Sequence, residues 1–391
     1  MKTGNRCTIC TGCGRCFGDV KRETRILSFS DADEEKVNLS SPVILVDIGT
    51  TTIAMAFVSE TGSVLDTYSV LNPQGKYGAD VISRIAAGSD PDKLSSMQSL
   101  VLDEIGNGIK SFARAEDISE AKIFISANTT MTYLLRGLSP SELGTAPFKA
   151  SHISEDSVFF SAGGKKCEAH ILPAFSAFVG SDIYAGVLAS KMLSSDKYRI
   201  LCDLGTNGEI ALGNKDKLYV TATAAGPAFE GGPCKGIWGA DMISLTSRLL
   251  KEKAIDRTGL LTDPYFDEGI DIGSVHITQD SIRALQLAKG AIYAGIRIIC
   301  NHAGVSADDI DEVILAGGFG YFLKPSDASA IGLIPDALSS KCVSGGNTSL
   351  KGALLYAAGK RIESEPEVIN LARDPSFNDL YMNALNFSEI L

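Results

Sequence analysis

Four cysteines open the chain at three-residue intervals: Cys7, Cys10, Cys13 and Cys16, with Gly12 and Gly14 between them. Thiolates this closely spaced can wrap a single inorganic core, and repeated C-x2-C suits a cubane iron–sulfur cluster of the 4Fe-4S kind. A structural zinc more often takes two C-x2-C pairs separated by a longer loop, which this segment lacks, and it stands as the alternative. The bacterial ferredoxin run has a last spacing of three followed by a proline; here the spacing stays at two and Phe17 follows Cys16. The fourth ligand is therefore Cys16, a remote thiol such as Cys234, or a residue of a second subunit.

A different chemistry is written twice further on, in VILVDIGTTTIAMAFV (Val43–Val58) and RILCDLGTNGEIAL (Arg199–Leu212). Each is an apolar run ending in an aspartate, then a glycine turn, then a second apolar run. Aligning Asp47 with Asp203 also aligns Gly49 with Gly205 and Thr50 with Thr206. Gly49 and Gly205 let backbone N–H groups approach an anion, while Thr50, Thr51, Thr52, Thr206 and Asn207 add polar side chains. A carboxylate beside such a turn suits a hydrated Mg2+, which keeps several waters and takes few carboxylates. Neither stretch fits G-x-x-x-x-G-K-[ST] or G-x-G-x-x-G. An ordinary meander turn would explain one copy. Two copies, each with an acid set in an apolar strand, call for a cation to answer the charge.

These turns need strands on both sides, and the short β-branched runs predict a β-hairpin for each. Around them the periodicity predicts a helix beginning at Gly78–Ile85 with Val81, Ile82 and Ile85 inward, and an amphipathic helix over Leu94–Phe112. Lys122–Ser126 reads as a buried strand followed by the polar Asn128-Thr129-Thr130, either a strand-end loop of the kind that faces a cleft or a helix start capped by Thr129. Asp80 reads equally as a first-turn helix acid or a functional group. Ile171–Leu188 reads as a strand tip, a proline and a helix. A long helix is expected over Asp280–Val305, with Leu285, Leu287, Ala288, Ile292, Ile296 and Ile299 as its apolar stripe. Gly226 opens a glycine-dense stretch, a shaped loop near a ligand or partner or else a close packing of elements. Glu312–Phe322 is a strand followed by Gly317-Gly318, which can lie flat against a ring or a phosphate. Gly345-Gly346-Asn347 then opens a last helix over Ser349–Ala358. Residues 19–41 are charged and serine-rich and read as a tether, or as an edge strand at Arg25–Ser28.

The totals bound the partners. A chain of 391 residues with 45% hydrophobic content suffices for two ordinary domains. Its net charge of −11, without a long Lys/Arg run, argues against nucleic acid. No apolar run approaches the roughly 18 residues of a membrane span, and the N-terminus has no signal-peptide core. A cytoplasmic location is expected, where nine cysteines point to metal or redox chemistry rather than disulfides.

Taken together, VDIGTTTIAMAF, NPQGKYGADVISRI, LCDLGTNGEIAL, AAGPAFEGG, ITQDSIRALQLAKGAI and LAGGFGYFL resemble the reductive activators of corrinoid proteins, within the actin-like and sugar-kinase ATPase superfamily. The resemblance implies an α/β fold of two ribonuclease-H-like domains flanking a nucleotide cleft. It implies ATP and Mg2+ as ligands and an iron–sulfur centre that reduces Co(II) to Co(I) in the corrinoid protein of a methyltransferase system. It further implies Asp47 and Asp203 at the magnesium, Asp182 or Glu209 orienting the attacking water, and Gly317-Gly318 at the adenosine. A low-potential electron donor, and a homodimer, would complete the system. The expected division is 1–18 for the cluster segment, 19–41 for a linker, and 42–195 and 196–391 for the two subdomains, with the final helices able to return to the first. Many relatives carry a full ferredoxin domain at the N-terminus, where this chain has only the four-cysteine segment. Two rival readings keep the ATPase core: an activator of a 2-hydroxyacyl-CoA dehydratase, and a small-molecule kinase with a zinc-binding N-terminus.

Overall fold

The computed structural model describes residues 37–114, 116–205, 207–226, 228, 239–273, 275–320 and 323–387. Cys7, Cys10, Cys13 and Cys16, the Arg25–Ser28 strand, Thr206 and Cys234 lie outside the described residues. The described chain forms two compact units, one of residues 37–191 and 347–366, the other of 192–346 and 367–387.

The first unit holds β1 (Val43–Ile48), β2 (Thr52–Val58), β3 (Val64–Leu71), β4 (Lys122–Ala127), β5 (Asp156–Ala162) and β6 (Lys165–Ile171), ordered β3-β2-β1-β4-β6-β5. The expected hairpin is formed: β1 pairs antiparallel with β2, Asp47 opposite Ala54, and parallel with β4, Asp47 beside Ser126. Strand side chains alternate between faces. Ile44, Val46 and Ile48 pack with Val101, Ile105 and Ile109 of the helix Pro91–Phe112. Val43 and Leu45 pack with Tyr184 and Ala185 of the helix Ser181–Ser190 and with Leu350 and Ala353 of the helix Thr348–Ala357. Asp47 shares this second face, and that parity decides its partners. The helices Ser181–Ser190 and Thr348–Ala357 meet backbone to backbone, since a Cβ on Gly352 would fall on the carbonyl group of Ala185.

The second unit holds β7 (Tyr198–Leu204), β8 (Gly208–Gly213), β9 (Leu218–Thr223), the small β10–β11 pair (Ile270–Ile272, Val275–Ile277), β12 (Ile310–Ala316), β13 (Cys342–Gly346) and β14 (Glu367–Ile369). Its main sheet runs β13-β12-β7-β8-β9-β14. Both sheets thus contain an antiparallel meander of three strands with a parallel strand on the far side of the first: β3-β2-β1-β4 and β9-β8-β7-β12. Ile200, Cys202 and Leu204 face a core built with the helices Gly239–Lys251 and Gln279–Ala303. Asp203 lies on the opposite face.

Four expectations change in detail. The helix expected from Gly78 begins at Val81, because the Asp80 carboxylate caps it by accepting from Ser83 N at 2.8 Å and Ser83 Oγ at 2.8 Å. That helix turns Ile82 outward, 70% exposed, and buries Arg84, 1% exposed, in its place. Asn128, not Thr129, caps the helix Thr129–Arg136, accepting from Met131 N at 3.0 Å. The long helix spans Gln279–Ala303, and its Leu287 is exposed rather than part of the apolar stripe.

Candidate nucleotide and metal site

In the first unit the turn after β1 consists of Gly49, Thr50 and Thr51, closed by Gly49 N donating to Thr52 O at 2.9 Å. Side chains from three other segments hold it. Asn72 Nδ2 donates to Gly49 O at 2.8 Å, Asn128 Nδ2 donates to Thr50 Oγ1 at 3.1 Å, and the Arg84 guanidinium donates to Thr50 O. Asn72 N also donates to Thr51 O at 2.8 Å. Only Gly fits at 49 without crowding, because a Cβ there would sit 3.0 Å from the Thr52 carbonyl oxygen.

Asp47 is fixed by the segment that opens the helix Thr348–Ala357. Asn347 Nδ2 donates to Asp47 Oδ2 at 2.9 Å, and Ser349 Oγ donates to Asp47 Oδ1 at 2.9 Å. Ser349 Oγ is also 2.7 Å from Ser126 Oγ, and Asn347 Oδ1 caps the helix by accepting from Leu350 N at 2.7 Å. Burial pushes the Asp47 carboxyl above its ordinary range, and these two donors pull it part of the way back. A cation close to this carboxylate would favour the charged form that burial disfavours. Asp182 lies in the first turn of its helix, where its Oδ1 accepts from Ile183 N at 2.8 Å. That helix starts at the end of β4. Ser181 Oγ donates to Ala127 O at 3.0 Å, and a Cβ on Gly180 would come within 2.6 Å of that same oxygen. Asp182 is thereby brought to the strand end from which Asn128 reaches Thr50.

In the second unit Asp203 is the penultimate residue of β7, matching Asp47 in β1, and Glu209 is its cross-strand partner on β8. Opposed residues in an antiparallel pair share a face, so the Asp203 and Glu209 side chains leave the sheet on the same side. Glu209 is buried and Asp203 half-buried. Gly205 N donates to Asn207 O at 2.9 Å, closing the turn. Gly317 follows directly on Ala316, which pairs with Asp203. At φ +83°, a Cβ on Gly317 would fall on Asp203 Oδ1 and within 2.6 Å of Leu204 O. The glycine is thus required for backbone to pass beside the acid. Gly317-Gly318 begin a short helical turn, Gly317–Gly320, in place of a flat strand extension. Gly226 has φ +74° with open space where a Cβ would stand. Cys202, Cys300 and Cys342 are thiols whose proton burial holds, the latter two pushed up to about 11. Among the described residues no group of His, Cys, Asp or Glu is arranged to bind a metal by itself.

Two sheets with one inner strand order, each with an acid before a glycine turn, define the actin-like class of ATPase folds. A family model described as the RACo middle region matches residues 43–195, and one described as the C-terminal domain of RACo, the ASKHA domain, matches 197–236 and 233–390. The chain belongs to this family of reductive activators of corrinoid proteins. It is 29% identical over 442 residues to the corrinoid activation enzyme RamQ of Eubacterium limosum, covering 93% of this chain and 73% of that one. It is 24% identical over 280 residues to a Co(II) methylated amine-specific corrinoid protein reductase of Methanosarcina barkeri, covering 56% of this chain and 52% of that one. A solved reductive activator for a corrinoid, iron–sulfur protein superposes with a TM-score of 0.77 at 29% identity, over 89% of this chain and 66% of that one. The chain thus spans about half of the Methanosarcina protein and just under two thirds of the solved one.

Asn72, Arg84, Asn347 and Ser349 were not among the site residues expected from the sequence, whereas Asn128 belongs to the polar loop noted there after the strand Lys122–Ser126. Asn72 and Arg84 do stand inside NPQGKYGADVISRI, and the density of polar residues in that otherwise loop-like stretch was the available signal.

Proposed function

We propose that this chain is an ATP-dependent reductive activator that passes one electron to Co(II) in the corrinoid protein of a methyltransferase system, giving Co(I). The repeated hairpin carries the reading: Asp47 and Asp203 hold the same position in two sheets of the same inner order. In this reading each acid, in its own unit, serves the hydrated magnesium of MgATP. Gly49 to Thr52 and Gly205 to Asn207 receive the phosphates, Gly317-Gly318 serve the adenosine, and Gly226 belongs to a loop shaped for the nucleotide. Asp182 or Glu209 orients the water that attacks the terminal phosphate. Cys7, Cys10, Cys13 and Cys16 hold an iron–sulfur cluster, which supplies a one-electron relay between a low-potential donor and the cobalt. The functional division is 1–18 for the cluster, 19–41 for its tether, and 42–195 and 196–391 for the ATPase, with the helix Thr348–Ala357 returning to the first of these, working in the cytoplasm. ATP can promote the transfer only by binding more tightly to the state in which the electron moves.

The test is an anaerobic visible spectrum of a cob(II)alamin protein mixed with this chain, a reductant and ATP. A Co(I) band that develops only with nucleotide supports the reading. A band indifferent to nucleotide, or full activation by Asp203→Ala without ATP turnover, sinks it. Iron and acid-labile sulfide assays on anaerobically purified protein separate a cluster from zinc.

A further inference from the structure

Arg84 has no part in the chemistry above, yet its helix buries this cation and leaves the apolar Ile82 in water. Burying a guanidinium is costly unless hydrogen bonds replace its hydration. Its Nε donates to Gly78 O at 3.0 Å, and another of its nitrogens donates to Thr50 O. The Asn72 amide donates to Gly49 O. Two consecutive carbonyls of the turn are therefore drawn toward side chains of the segment that follows β3. The peptide bonds of this turn are trans, and in a planar trans peptide the N–H points opposite to the C=O. Fixing the carbonyls of Gly49 and Thr50 thus sends the N–H groups of Thr50 and Thr51 the other way. Successive N–H groups aimed to one side form a concavity suited to an anion.

We propose that Arg84, assisted by Asn72, is a positioning residue for nucleotide phosphates, which fixes the direction of the Thr50 and Thr51 amides and sets a permanent positive charge behind them. The inference rests on reading Gly49 to Thr52 as a phosphate turn. Arginine suits the task because it stays charged and its planar fork serves two carbonyls at once, whereas lysine offers a point charge without the fork.

The experiment measures binding of ATP, ADP and AMP to the full chain by calorimetry, for wild type, Arg84→Gln, Arg84→Lys and Asn72→Ser, with Tm recorded without nucleotide. Arg84→Gln is expected to weaken ATP about tenfold or more, ADP less, and AMP by no more than about twofold. Arg84→Lys should fall between wild type and Arg84→Gln, and Asn72→Ser should show the same gradation with phosphate number. Equal losses for all three nucleotides, or none in a folded variant, overturn the positioning role and leave the nucleotide site standing. A wild-type chain that binds none of the three overturns both. Should Arg84→Gln fail to fold, Arg84→Lys and Asn72→Ser make the same discrimination.

Discussion

Among the described residues each unit buries one cation, and the two differ in kind. Arg84, behind the Asp47 turn, and Lys289, on the helix Gln279–Ala303 of the other unit, are each 1% exposed. Arginine keeps its charge when buried. Lys289 does not: burial drives it down to about 7. Its Nζ donates to the carbonyl of Asn386 and lies 5.3 Å from the centre of the Phe387 ring, so it ties down the C-terminal residues. A cation that must persist beside an anion site is best carried by a group that cannot lose its proton. A cation that only pins one segment to another can be neutral at little cost.

The two acids are held in different ways as well. Asp47 receives one donor on each oxygen from Asn347 and Ser349. Asp203 packs against the backbone of Gly317 and stands across from Glu209 on β8. The support of Asp47 therefore depends on where the helix Thr348–Ala357 sits, and that depends on Gly352. Gly352→Ala would force the helices apart at Ala185; a loss of about 3 kcal/mol or more is expected, read as a lowered unfolding midpoint. If the midpoint stayed put, the close helix crossing would not be what places Asn347 and Ser349.

Gly317→Ala tests the other unit. The new methyl would meet both Asp203 and the Leu204 backbone at a positive φ, for about 2 to 3 kcal/mol of destabilisation. MgATP affinity should fall further than that of free ATP, because the acid itself is displaced. Equal losses for the two would separate Gly317 from the metal.

Much of this frame was legible in the sequence. Both hairpins and the position of each acid follow from apolar runs broken by glycine, and the long helices from the spacing of their apolar residues, all of them local patterns. What holds the acids was not legible, because Asn347 and Ser349 reach Asp47 across 300 residues of chain and only the register of β1 puts that carboxylate on their face. Arg84 defeated the periodicity for a physical reason. A helix face rich in Val and Ile reads as inward, but three backbone and side-chain acceptors, Gly78 O, Thr50 O and Met131 Sδ, made the guanidinium the better buried group.

The contrast between the acids is sharpened by Asp47→Asn. Because burial raises the Asp47 carboxyl, its ionised form weakens the fold at neutral pH; that part of the stability is present at low pH and lost as pH rises through the raised value. Removing the charge should therefore raise the midpoint while MgATP affinity falls about tenfold or more, a trade of stability against function. The Ser349 hydroxyl can rotate to accept from the new amide, so the pocket tolerates it. A variant with a lowered midpoint would mean that Asn347 and Ser349 more than offset the burial.

The smallest expected effect concerns Lys289 and decides whether the two buried cations truly differ. Its proton is lost near 7 in the folded chain and near 10.5 in the unfolded one. Between those values the unfolded chain holds a proton that the folded chain has released, so stability rises with pH, by at most about 1.4 kcal/mol per unit. Below about 7 both states are protonated and the slope vanishes. Cys300 and Cys342 act in the opposite sense above their ordinary range, near 9, because burial keeps their protons on in the fold. The clean window is therefore about pH 7 to 8.5. Urea denaturation across it should show the rise in wild type and lose it in Lys289→Met, while Arg84→Lys in the other unit should introduce a new rise of the same sign. A slope unchanged by Lys289→Met would place the titrating group elsewhere, and the distinction between a cation kept charged beside phosphates and one free to discharge would fail on its second member.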